Sequence, residues 1–407
     1  TEEKKKSISK NIIFRFGHSL VHSLWDEIDL SKILGEQLSK TLFSLVVYRL
    51  GSSYSTFLEN RKTPFLNLES VSHLDFYETL LELEKKEKEL IECFNKFFEN
   101  KIKREKKIAY YYTSSYKYNK YWKVLYGLPF SDFQEVEENL NFDMTLFFDS
   151  YGIPISYHLF MKEKFSEKKL EEIKDLLKIS KFILVSTQES EIKSKNFISP
   201  ILFESLDLEI RKEILKDTKW KVIERDIETD EILEKDKIID IDDNLKLYVY
   251  WAKKRAFKDY MEKNNRNGYL YLITDEESLE AEEISNIFQH TWNIEDKFKI
   301  TDVDFSEKHL HGHFTLCYIC LCIIRYFQYL LGSNGKAFVP MIYANKAISN
   351  PMIFMEKKGN ELFLNPIHLT NSYLKLSKIL GLGEFSQEMS IEKFQKNSGL
   401  KINNILL

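Results

Sequence analysis

Residues 314–331, FTLCYICLCIIRYFQYLL, are the longest apolar run in the chain and constrain its fold most. A run of this length with no turn residue must be helical and must leave water, either inside a bilayer or beneath other elements. Arg325 and Gln328 interrupt it, and its 18 residues are short for a bilayer crossing. The expectation is therefore a buried core helix and no membrane partner. A helix apolar on every side needs neighbours on every side. The 407 residues supply them, and exceed what one core usually spans, so two or three domains are expected.

Cys317, Cys320 and Cys322 fall inside this run, where thiols behave as small hydrophobes rather than as zinc or redox ligands. Four cysteines in all are too few for a disulfide framework, and residues 1–10 are polar and basic with no small-residue cleavage site behind them. A reducing, cytoplasmic setting is expected.

Outside the core run, the apolar period changes along the chain. Residues 76–107 have a helical stripe of Leu80, Leu81, Leu83, Leu90, Ile91 and Phe94 flanked by Glu/Lys pairs, and predict a long connector helix after an N-terminal helical stretch. From residue 108 the pattern turns strand-like, at 108–112, 144–150 and 155–160. The sequence Asp149-Ser150-Tyr151-Gly152 joins the last two as a hairpin. Residues 166–177 predict a helix, and 182–185 (FILV) a buried, parallel strand. Strand, strand, strand, helix, strand is an α/β order. Residues 198–274 are rich in strand signals at 220–225, 237–241, 246–251 and 269–273, and 278–298 return to helix.

Two stretches carry local positive charge that the formal net charge of −4 conceals. Residues 101–126 hold eight Lys or Arg against one Glu, interleaved with seven Tyr and one Trp. Cations can neutralise phosphates while aromatic faces stack on bases, so Lys101, Lys103, Arg104, Lys106, Lys107, Lys117, Lys120 and Lys123 are candidate nucleic-acid contacts. A strand alternating core tyrosines with solvated lysines accounts for the same pattern. Lys253, Lys254, Arg255 and Lys258 form a second basic stretch, open to the same two readings. His309, His311 and His313 alternate as strand-borne metal ligands would, and structural or capping histidines are the other reading of the same spacing.

Three blocks also resemble, in order, bacterial insertion-sequence transposases of the DDE type: 146–160 (LFFDSYGIPISYHLF), 248–259 (YVYWAKKRAFKD), and 267–300 with 311–327. Weaker similarity reaches back to 14–20 and 49–55. The resemblance implies an RNase H-like α/β core with a β-rich insertion and a helical N-terminal domain. The boundaries it suggests are 1–106 for the helical domain and connector, 107–197 for the first part of the core, 198–274 for the insertion, 275–335 for the last core helices, and 336–407 for a C-terminal segment.

Such enzymes hold two divalent metal ions on two aspartates and a glutamate, because clustered hard cations need oxygen ligands and charge neutralisation. Carried over residue by residue, the resemblance puts Tyr112 at the first aspartate and Thr187 at the second, and only Glu295 keeps its carboxylate. Phe288, Thr291 and Asp302 stand where the companion Tyr, Arg and Lys belong, and Met161-Lys162-Glu163 replaces a Pro-Gly-Asn. Asp149, Glu189 and Asp296 are nearby carboxylates, none of which restores the first-strand position. The expectation is a transposase-derived, pseudoenzyme-like nucleic-acid-binding protein, decayed or exapted, whose partner is DNA, structured RNA or a ribonucleoprotein, with a homodimer left open. No cofactor is expected unless residual transposase activity uses Mg²⁺ or Mn²⁺. The rivals are an active metal-dependent transposase with displaced carboxylates and a protein-interaction scaffold.

Overall fold

A computed structural model describes residues 12–51, 64–102, 104, 107–120, 138–161, 165–187, 195–225, 229–242, 244–291, 298, 306–358, 361–385 and 388–402. In chain order the elements are β1 (Ile12–Arg15), α1 (Ser19–Ile28), α2 (Ser31–Leu34), α3 (Glu36–Gly51), α4 (His73–Ile102), β2 (Ile108–Lys120), β3 (Glu138–Phe148), β4 (Pro154–Phe160), α5 (Glu167–Leu177), β5 (Lys181–Val185), β6 (Phe197–Pro200), α6 (Leu208–Leu215), β7 (Lys221–Arg225), β8 (Ile232–Asp240), β9 (Lys246–Ala252), α7 (Lys253–Met261), β10 (Tyr269–Thr274), α8 (Ala281–Gln289), α9 (Glu307–Leu331), α10 (Met341–Ser349), β11 (Met352–Lys358), β12 (Glu361–Ile367), α11 (Asn371–Ile379), β13 (Met389–Ser390) and α12 (Ile391–Ser398). They fall into two units, one of residues 1–104, 117–141 and 295–407, the other of residues 105–116 and 142–294.

The first unit is built on the apolar run. Helix α9 is long and apolar enough to cross a membrane, yet 94% of its most apolar window is buried inside the structure. Ile319, Leu321, Ile323, Ile324 and Phe327 have no exposed surface, and burying five such side chains contributes on the order of 10 kcal/mol. Contacts climb in step along α4 and α9, from Tyr77 with His309, through Leu80 with Gly312, to Phe94 with Tyr318 and Phe98 with Tyr326. The two helices therefore run side by side in the same direction. Gly312 sets their approach, since a Cβ there would lie 1.9 Å from the Leu80 carbonyl oxygen.

The same unit joins segments far apart in the chain. Strand β1 pairs antiparallel with β11 in a four-stranded sheet of order β1-β11-β12-β13. Phe16, just past β1, meets the rings of Tyr373, Phe385 and Phe394 at 5.2 to 5.5 Å, and the hydroxyls of Ser19 and Tyr373 are 3.0 Å apart.

The second unit holds a nine-stranded mixed sheet of order β4-β3-β2-β5-β6-β10-β9-β8-β7. Strands β3 and β4 form the antiparallel hairpin expected from the turn residues. Asp149 closes that turn, its carboxylate accepting the N–H groups of Tyr151 (2.9 Å) and Ile153 (3.0 Å). Helix α5 is capped by Ser166, which accepts from the Lys169 N–H. The apolar run FILV lies in β5, parallel to β2. Strand β6 adds a second parallel neighbour, and β10, β9, β8 and β7 continue the sheet antiparallel.

Candidate functional site

Strands β2 and β5 lead to the two positions at which the resemblance expects aspartates, Tyr112 and Thr187. Ile108 is level with Lys181 and Tyr111 with Leu184. Carried one residue on, that register sets Tyr112 level with Val185, two residues before Thr187. Both positions thus lie at the same end of neighbouring parallel strands. Side chains alternate across a strand. Ala109 and Tyr111 join Phe147, Ile155, Phe160, Ile173 and Phe182 in one core cluster, which leaves Tyr110 and Tyr112 for the opposite face. Tyr112 is only 4% exposed, whereas Thr187 is exposed.

The electrostatics of this strand are those of packed phenols. Burial pushes the Tyr111 hydroxyl up to about 12. Tyr110 is raised further by burial, with the carboxylates of Glu283, Glu276 and Asp149 adding to the shift. Those three carboxylates have structural duties. Glu276, 3% exposed, pairs with Lys181 at 2.5 Å. Glu283 accepts the Glu280 N–H in a capping box at the start of α8, and Asp149 holds its own turn. Neutral hydroxyls at Tyr112 and Thr187 cannot neutralise a pair of hard divalent cations. Glu295, Glu189 and Asp296 lie outside the described residues. Among the described residues, no three His, Cys, Asp or Glu side chains converge on a metal-sized site.

The histidines at the start of α9 separate rather than converge. His309 Nδ1 is 2.8 Å from the Ser306 hydroxyl, His311 faces Glu87 at 3.8 Å, and His313 Nε2 is 3.5 Å from Cys317 Sγ. Helical geometry turns alternate residues to different directions, which the strand reading of this spacing would not do.

The candidate basic residues have mixed placements. Lys101 pairs with Glu27. Arg104 is 8% exposed; its Nη1 donates to Asn95 Oδ1 at 2.8 Å, and its guanidinium lies 5.2 Å from the Phe98 ring centroid. It is held within its own unit rather than presented at a surface. Lys107 is exposed. Lys117 and Lys120 lie on β2, while Lys103, Lys106 and Lys123 lie outside the described residues.

The second basic stretch folds as α7, between β9 and β10. Lys253, Lys254 and Lys258 are exposed on it, Lys253 pairing with Glu231. Arg255 is half-buried and donates to the Gly268 carbonyl at 3.3 Å. Burial lowers its pKa, opposed by Glu234 and Asp259. Phe257, Tyr260 and Met261 are also exposed on this helix, at 67%, 78% and 64%. Reading the stretch only for its charge passes over these three residues. Helical spacing of 257, 260 and 261 is the signal that would have found them.

Comparison with protein-family models, with curated proteins and with solved structures finds no match to this chain.

Proposed function

We propose that the chain is a transposase-derived nucleic-acid-binding protein that keeps an RNase H-like scaffold without strand-transfer chemistry. The observation that carries this reading is the pairing of Tyr112 and Thr187. Two positions that the resemblance assigns to metal-binding aspartates lie at the same end of adjacent parallel strands, and neither bears a carboxylate. The sheet order supports the scaffold half of the reading. A β3–β4 hairpin lies on one side of β2, and β5, reached through α5, runs parallel to β2 on the other. The antiparallel strands β7 to β10 are where the β-rich insertion is expected.

Lys101, Lys107 and the lysines of α7 are exposed members of the candidate basic stretches that would neutralise phosphates of DNA, structured RNA or a ribonucleoprotein. A Mn²⁺-dependent nicking and strand-transfer assay tests the chemistry. The expected result is bound but uncut DNA. Cleavage that Glu295→Gln abolishes would establish the rival enzyme instead.

A further inference from the structure

We propose that α7 is a stacking ridge for the unpaired bases of a single DNA strand, an inference that rests on the nucleic-acid-binding reading above. Its inward face is fixed. Asp259, 5% exposed, accepts the Gly268 N–H at 2.7 Å and the Asn264 amide at 3.2 Å. Arg255 donates to the Gly268 carbonyl. Gly268 itself has φ +87°, and a Cβ there would come within 2.6 Å of the Ala256 Cβ. The helix is therefore clamped to the β9–β10 connection through residues 255, 256 and 259. It cannot roll its apolar side chains inward without breaking these bonds.

What the clamp turns outward is a row of large apolar groups. Phe257 and Met261 are one helical turn apart, with Tyr260 beside them. Leaving three such side chains more than 60% exposed on a nine-residue helix forgoes the gain from burying them, so they mark a contact surface. Lys253 precedes Phe257 by one turn, and Lys254 and Lys258 flank the row. Across residues 253–266 there are six Lys or Arg against two acidic residues, of which Asp259 is buried.

Cations beside exposed rings complement a partner that is anionic and offers flat π-faces together, which a DNA strand with unstacked bases does. A second copy docked by a two-fold axis would set lysines against lysines. Duplex DNA hides its base faces and would use only the lysines.

Fluorescence anisotropy on the full chain, with labelled oligo-dT and a labelled duplex of equal length, tests this. Phe257→Leu with Tyr260→Leu keeps apolar bulk but removes both rings, and the exposure of both sites leaves the fold undisturbed. The double variant should lose about tenfold or more of its oligo-dT affinity while duplex affinity stays within about twofold. Lys254→Gln with Lys258→Gln should weaken both and flatten the salt dependence. Unchanged oligo-dT affinity in the leucine variant would overturn the inference and leave the wider reading standing. So would preference of the unaltered chain for oligo-U or for phosphatidylserine vesicles over oligo-dT. Failure of the unaltered chain to bind oligo-dT, the duplex or any RNA would overturn both.

Discussion

Tyr112 and Thr187, the two positions at which the resemblance expects aspartates, differ in their packing. Tyr112 is packed at 4% exposure, and Thr187 is exposed. Tyr112→Asp would remove a buried ring and bury a carboxylate, and should cost about 3–5 kcal/mol. Thr187→Asp should change stability by less than about 0.5 kcal/mol. Urea unfolding of the two variants checks the asymmetry, and equal effects would mean that Tyr112 contributes no packing. A second residue-scale prediction concerns His18, 2% exposed among the rings of Phe43 and Phe65. Burial, then the neighbouring His22, lowers its pKa from 6.5 to about 3. The unfolded chain therefore binds the extra proton first, so stability is intact above pH 6.5 and falls as pH drops toward 3, by up to about 1.4 kcal/mol per pH unit. His311 works in the opposite sense. Glu87 raises its pKa, so its contribution is present below pH 6.5 and fades as pH rises, but the pair is partly exposed and worth less. Thermal melts between pH 6.5 and 4.5 should show a shallower decline for His18→Gln than for the parent chain, and parallel curves would contradict the assignment. Burial of this kind was not readable from residue type. Arg104, counted among surface cations by its charge, is turned inward onto Asn95 and Phe98.

At the scale of elements, what was legible followed local pattern. A wholly apolar run of four predicted β5 as a buried parallel strand, and the Asp149–Gly152 turn predicted the β3–β4 hairpin. The 314–331 run predicted a core helix, which α9 is. Elements fixed by distant partners were not legible. Strand β6 is four residues ending in Pro200, too short to signal itself, and it is held between β5 and β10. Helix α7 turns its large apolar side chains outward, and its anchoring through Asp259 and Arg255 to Gly268 has no periodic signature. The α4–α9 pair carries the clearest element-scale prediction. Gly312→Ala would drive a Cβ against the Leu80 carbonyl, which is backbone and cannot swing aside. The helices must then part, at about 1–3 kcal/mol or more. Differential scanning calorimetry should register a lower Tm, and an unchanged Tm would show that the two helices do not approach so closely.

For the whole molecule, sequence order is a poor guide to what is built together. Residues 1–104 and 295–407 share a sheet through β1 and β11 and share the helical core. Pairing of this kind, across more than 300 residues, leaves no local trace in the sequence. Charge has the same character. A net of −4 says nothing of a helix that gathers Lys253, Lys254 and Lys258 beside two exposed rings. For the candidate site the sequence offers only what the resemblance assigns, at Tyr112, Thr187 and Glu295, the last outside the described residues. The rings of α7 came from three-dimensional exposure. The central claim, a nucleic-acid-binding scaffold, is tested most directly by measuring affinity for labelled DNA and RNA across a salt series. The account predicts measurable binding at low salt, with log affinity falling linearly against log salt concentration as condensed counterions are released. Absence of salt-dependent affinity for any DNA or RNA would contradict it.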